Sequence, residues 1–370
     1  MKPDRMDRVD GQCAGPPQAD ECNIARVPSS RRIIREQDPS KFSSSRPRAR
    51  HNGGDEHWQT VRMTVLMAGC GDLGTETGLH FAAAGHRVVG WRRSPDKIPP
   101  GIEGVGVDLS SGELPPLPAE TTAVVVALAA DSPTEEAYRA AYVDGLGHVL
   151  DAVDAARAAG AAAPDRIVFV SSTAVYGDAG GGWVDESTTP VPGGFSGRIM
   201  LEAENLLASR LRGTGITPVV LRLGGIYGPG RTRLIDQVRG GNAVVPAESR
   251  FTNRIHRDDA AAAIVHLCTM DEEPGPLYLG VDNDPAELGD VLRFLATEMG
   301  LPLPAPEEPS RGEASGDGPS GGGPSRGEPS RGGNKRCSNS RLLGTGFTFH
   351  YPTFREGYQA LLAGIGVRHP

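Results

Sequence analysis

Gly69, Gly71 and Gly74 stand in the spacing G-x-G-x-x-G, with Cys70, Asp72 and Leu73 between them. An apolar run at 63–68 precedes them. A helix-like segment at 75–84, closed by Gly85, follows. Strand, glycine run and helix in that order form a cradle for a dinucleotide pyrophosphate. The first glycine permits the tight turn, the second lets backbone approach the phosphates, and the third lets helix and strand pack closely. The helix N-terminus adds free N–H groups and the positive end of its dipole. A purely structural turn is the plainer alternative in a chain with 50 glycines among 370 residues.

The elements that would hold this turn alternate along the chain. Strand-like runs lie at 64–68, 87–91, 104–107, 122–127, 166–171 and 217–223. Helical patterns lie at 75–84, at 135–159 (Ala-rich), at 199–211 and near 354–362. Strands alternating with helices predict an α/β fold, a doubly wound parallel sheet with helices on both faces. The Val-rich fourth run is continuous, as in strands buried on both sides.

Residues 1–60 are rich in Arg, Asp, Ser, Pro and Gly without apolar periodicity, and are expected to be a disordered N-terminal extension. The first strand opens at Met63, so translation starting there is an expectation that the intact mass of the native protein decides. Residues 305–333 read as a low-complexity insertion, with Pro309-Ser310-Arg311-Gly312-Glu313 recurring as Pro324-Ser325-Arg326-Gly327-Glu328. A net charge of −8 gives no electrostatic reason to expect nucleic acid or an anionic membrane as partner. No apolar run is long enough to span a bilayer. Five scattered cysteines make no metal-ligand spacing and suit a reducing cytosol, so the expected location is cytoplasmic and no metal is expected.

Four further stretches fall where a doubly wound sheet places its ligand, at the carboxyl ends of strands. They are Val170-Ser171-Ser172-Thr173-Ala174-Val175-Tyr176-Gly177, the run Leu221 to Gly230 with its Tyr227-Gly228-Pro229, Arg254-Ile255-His256-Arg257-Asp258-Asp259, and Ala127-Leu128-Ala129-Ala130. With the glycine loop and Asp108-Leu109, this set resembles the extended short-chain dehydrogenase/reductase superfamily, the sugar-nucleotide epimerases and dehydratases. The run from Ser171 to Asp178, Phe195-Ser196-Gly197-Arg198 and Tyr351-Pro352 are similar to an atypical YeeZ-like subgroup whose reaction is undefined. The resemblance implies an NAD(P)-binding Rossmann domain at 61–235. It also implies a small substrate-side C-terminal part at 236–304 and 334–370 that returns to the core near 252–270. Gly69, Gly71, Asp72, Leu73, Gly74, Asp108, Leu109 and Ala129 would then line the cofactor. A homodimer through the helices at 135–159 and 199–211 is implied by the resemblance alone.

One catalytic position matches the superfamily and two do not. Ser172 takes the place of the Ser/Thr that bonds a substrate oxygen, or it merely caps a turn. Alignment on Leu201 and Glu204 puts Ser196 where the family has its acid/base tyrosine and Met200 where it has lysine. A serine hydroxyl is a far weaker acid than a phenol, and a thioether carries no charge to lower a pKa. Tyr176 is expected to pack, His256 to anchor the C-terminal part, and Asp185-Glu186 to be solvated loop acids.

Cofactor choice is argued from charge. The second strand ends Trp91-Arg92-Arg93, without the acid that bonds the ribose 2′-OH in NAD sites. Arg92 and Arg93 suit a 2′-phosphate, so NADP is expected, with NAD as the alternative. Trp91 either stacks on the adenine or is covered by helices. Two functions follow. One is an NADP-dependent oxidoreductase or epimerase acting on a nucleotide-sugar-like or other hydroxylated small molecule. The other is a non-catalytic dinucleotide-binding sensor or scaffold.

Overall fold

The computed structural model of the chain describes residues 62–307 and 333–370. The extension expected at 1–60, and residues 308–332 of the expected insertion, lie outside the described residues. Seven parallel strands form the central sheet: β1 (Thr64–Ala68), β2 (Arg87–Arg92), β3 (Glu103–Gly106), β4 (Thr121–Val126), β5 (Arg166–Ser172), β6 (Thr217–Leu223) and β7 (Leu277–Gly280). Their spatial order is β7-β6-β5-β4-β1-β2-β3. The chain runs outward from β1 to β3, then returns to the other side of β1 to begin β4. The order therefore reverses between β1 and β4, where Leu66 pairs with Val89 on one side and Val124 on the other. A crevice opens at the carboxyl ends of strands at such a switch point.

Alternation along β1 supplies both faces of the core. Val65 and Met67 face one layer, with Phe81 of helix α1 (Asp72–Ala83) and Ile264 and Leu267 of the helix Arg257–Thr269. Leu66 and Ala68 face the other, with Leu146, Val149 and Leu150 of Gly145–Ala158 and Met200, Ala203 and Leu207 of the helix Phe195–Leu211. Helix α1 begins three residues before the sequence pattern suggests, because Asp72, Leu73 and Gly74 already belong to its first turn. The helical stretch expected at 135–159 is broken into Glu135–Arg139 and Gly145–Ala158 by a π turn at Ala140–Asp144.

A separate cluster builds the smaller part. Ile235, Val238, Val291, Leu292, Leu295, Phe354 and Tyr358 pack together. They come from the helices Arg233–Arg239, Leu288–Glu298 and Phe354–Leu362. The return to the main core is wider than the expected 252–270. Strand β7 lies on the sheet edge beside β6, and Leu342 and Phe347 join the α1 side of the core. Ala305–Pro306, placed by sequence in the insertion, pairs in parallel with Val244–Val245. Among the described residues, no helix is long and apolar enough to cross a membrane. Among the described residues, no group of three or more His, Cys, Asp or Glu is placed to hold a metal ion.

Candidate functional site

The β1–α1 turn sits at the switch point, and its three glycines answer to three different surroundings. Gly69 has φ +92°, and a Cβ there would lie 2.4 Å from the Ala127 carbonyl oxygen at the end of β4. A Cβ on Gly74 would lie 2.3 Å from the Gly69 oxygen, so helix and turn touch backbone to backbone. A Cβ on Gly71 would meet nothing within 4 Å. That side of the turn is open, and backbone there can approach a ligand. The Gly69 and Cys70 N–H groups donate to the Trp91 carbonyl at 3.2 and 3.0 Å, which ties the turn to the end of β2. Thr75 donates the first bond of the helix to the Gly71 carbonyl at 2.7 Å. The N–H groups of Asp72, Leu73 and Gly74 precede it and, as at any helix N-terminus, have no partner within the helix.

Asp72 would repel an anion if its carboxylate faced the turn unpaired. It receives Arg231 Nε at 2.9 Å and Arg257 Nη1 at 3.1 Å. Burial raises its pKa, but the hydrogen bonds and charges of the two arginines outweigh this and hold the carboxyl below its ordinary range. What Asp72 offers a ligand is therefore its N–H. Arg257 is 1 % exposed and also pairs with Glu76 and Asp258. Sequence reasoning missed both arginines. Arg257 stood within a quoted motif, but nothing local marks it as a partner of α1.

At the end of β2, both arginines are engaged. Arg93 makes a two-point pair with Asp131 at 2.7 and 2.6 Å on the surface. Asp131, in the loop leaving β4, was not singled out in the sequence. Arg92 Nη1 donates to the Pro370 carbonyl at 3.0 Å. Trp91 is 1 % exposed and packs in the core beneath the sheet ends, so of its two expected positions the covered one is found. Asp108 is exposed and accepts from Ser110 N–H and Oγ at 3.0 and 2.7 Å, and these bonds hold its pKa low. Leu109 packs against the core and its carbonyl accepts from His148 Nδ1 at 2.8 Å. Ala129 is exposed in the loop after β4.

The second group of candidates gathers at the end of β5. Ser172 Oγ accepts from Ala174 N–H at 3.2 Å and so caps the short turn Thr173–Tyr176. The capping bond leaves its own proton free to donate elsewhere. Gly197 abuts this turn, since a Cβ on it would lie 2.5 Å from the Ala174 carbonyl, and this brings neighbouring Ser196 to the same corner. Ser196 is 8 % exposed and Met200 is buried in the core.

The remaining candidates are tied into the fold by their own contacts. Tyr176 donates to the Asp185 carbonyl at 2.7 Å, lies under the Arg222 guanidinium, and is pushed by burial up to about 12. Asp185 holds a tight turn with Ser187 and Thr188. Glu186 accepts from Leu279 N–H at 3.0 Å and pins the loop to β7. His256 is 1 % exposed between the rings of Tyr227 and Tyr351, and burial pushes it down to about 4.

Residues 65–280 match the model of the NAD dependent epimerase/dehydratase family. Protein YeeZ of Escherichia coli K12 is 32% identical over 219 residues, covering 55% of this chain and 72% of its own. The structure of a putative NAD-dependent epimerase/dehydratase from Methylobacillus flagellatus superposes with a TM-score of 0.61 at 36% identity, over 82% of this chain and 98% of that one. The human epimerase family protein SDR39U1, solved with NADPH, shares the fold at a TM-score of 0.62 and 20% identity, over 82% of this chain and 100% of its own.

Proposed function

The chain belongs to the NAD-dependent epimerase/dehydratase family, and from that membership we propose that it binds NADP(H) at the 69–74 turn and works as an oxidoreductase or epimerase on a hydroxylated small molecule of the nucleotide-sugar type. The observation that carries the reading is the open side of Gly71 in front of the α1 N-terminus, between two glycines that admit no side chain. The residues present fit a dinucleotide. Asp72, Leu73 and Gly74 N–H groups would face its pyrophosphate, Asp108 its adenine ribose end, and Arg92 and Arg93 a 2′-phosphate. A human relative by fold was solved with NADPH, which supports NADP without excluding NAD.

When bound, the nicotinamide supplies hydride transfer. Ser172 would donate its hydroxyl proton in a hydrogen bond to the reacting substrate oxygen, since its lone pair already serves Ala174 N–H. Ser196 stands where the family has a tyrosine, and no cation at Met200 lowers its pKa. Proton transfer through a water or a weak acid is accordingly slow. Losing a tuned general acid costs about 10²- to 10⁴-fold, which leaves a slow enzyme. NADPH oxidation across a panel of carbonyl compounds, with product NMR on nucleotide sugars, tests this. A second reading, a dinucleotide-binding sensor, is favoured by the burial of Ser196 and Met200. It stands if NADPH binds and no compound turns over.

A further inference from the structure

Residues 365–370 follow the helix Phe354–Leu362 and pass beside the first turns of α1 to the end of β2. Gly366 packs on Pro229 and the Arg368 side chain on Gly230. The Val367 carbonyl accepts from Arg257 Nη1 at 2.7 Å. His369 N–H donates to Asp72 Oδ1 at 3.3 Å, and its Nε2 meets Glu76 Oε2 at 2.5 Å. The Pro370 carbonyl ends on Arg92 Nη1. The segment thus touches Asp72 and Glu76 on the first turns of α1 and the arginine at the end of β2, while the Gly71 side of the turn stays open.

The way it is held matters. Ile365 and Val367 are 56 % and 69 % exposed, so the apolar side chains of the segment point to solvent. Docking rests on polar contacts and buries little apolar surface. Segments of that kind open locally at small cost. At Arg92 the contact is a single hydrogen bond, to one main-chain oxygen of Pro370. A phosphate dianion would make a charge-assisted, two-point contact with the same guanidinium and is the stronger partner.

We propose that residues 365–370 are a built-in competitor for the 2′-phosphate subsite, occupying Arg92 until a phosphorylated dinucleotide displaces them. The inference rests on the assignment of Arg92 to the 2′-phosphate. NADP(H) must undock the segment to reach Arg92, and its apparent affinity is reduced by the docked fraction. NAD(H), carrying a hydroxyl there, gains nothing from displacing it. The segment therefore tunes the response to the phosphorylated cofactor and leaves the other alone.

Calorimetric titration of NADPH and NADH tests this on the full chain, on a chain ending at Gly364, and on one lacking only His369 and Pro370. The shorter deletion keeps the Val367 bond to buried Arg257, so it serves if the longer one fails to fold. Both shortened chains are expected to bind NADPH about tenfold more tightly, with NADH changed by less than about twofold. NADPH affinity unchanged or weakened in the shortened chains overturns the proposal. Arg92→Ala in the shorter deletion separates the two layers. If it leaves NADPH affinity unchanged, the assignment of Arg92 to the 2′-phosphate fails and the inference falls with it. If it weakens NADPH while shortening brought no gain, the competitor alone is refuted.

Discussion

Arg222 and Glu204 form a two-point ion pair, 2.9 and 2.6 Å, with side chains 5 % and 8 % exposed. The pair joins β6 to the helix Phe195–Leu211. Glu204 also accepts the Ser171 hydroxyl at 2.5 Å, which fixes the residue just before Ser172. The guanidinium meanwhile covers the Tyr176 ring at 4.8 Å. One buried pair therefore holds together the strand end, the turn and the helix that carry Ser172 and Ser196.

Breaking this pair by Glu204→Ala strands a buried guanidinium and is expected to cost about 3–5 kcal/mol. Urea denaturation measures it. The double change Glu204→Leu with Arg222→Met removes both charges and is expected to cost distinctly less. Equal losses in the single and double variants would mean that packing, and not charge, is what Glu204 provides.

Gly71→Ala separates binding from folding. The added methyl meets no protein atom within 4 Å and φ at Gly71 is −83°, so stability should shift by less than about 0.5 kcal/mol. The same methyl fills the open side of the turn, and NADPH affinity should fall by about tenfold or more. Gly74→Ala, whose methyl would sit 2.3 Å from the Gly69 oxygen, should instead lower the melting temperature.

Much of this site was legible in the chain, and the parts that were not share a cause. The glycine spacing could be read because a continuous apolar run precedes it and a helix-like segment closed by Gly85 follows it. Ser172, Ser196 and Met200 could be placed by counting from neighbouring motifs. Strand β7 was not read: Leu277–Gly280 is only four residues long, although Pro274-Gly275-Pro276 before it and Asn283-Asp284-Pro285 after it are turn signals that bound it. The Asp72–Arg257 pair spans 185 positions and the Asp72–His369 contact 297. Asp131 met Arg93 across 38 positions for the same reason. Contacts of that range depend on the assembled sheet and leave no local pattern.

The Arg93–Asp131 pair predicts a gain of function toward one cofactor. Asp131→Ala frees a guanidinium and deletes a negative charge beside the proposed 2′-phosphate position. NADPH affinity should rise by about two- to fivefold at low ionic strength and the gain should shrink with added salt. NADH affinity should hardly move. Equal effects on both cofactors in fluorescence titrations would place Arg93 away from the phosphate.

His256 sets a pH dependence of stability. Burial pushes its imidazole down to about 4 from the ordinary 6.5. The unfolded chain takes up this proton near pH 6.5 and the folded chain only near pH 4, so this group's contribution is complete above about 6.5 and is lost as the pH falls toward 4. His256→Gln should therefore flatten the decline of the urea midpoint between those two pH values. A slope equal to that of the parent chain would show that His256 is charged in the fold.

The central claim is that this glycine turn holds a phosphorylated dinucleotide, with Arg92 as the discriminating contact. Parallel calorimetric titrations of NADPH and NADH into the full chain test it most directly. The account predicts saturable one-to-one binding with NADPH tighter by about tenfold, equivalent to about 1.4 kcal/mol. NADH binding as tight as NADPH, or tighter, would contradict it.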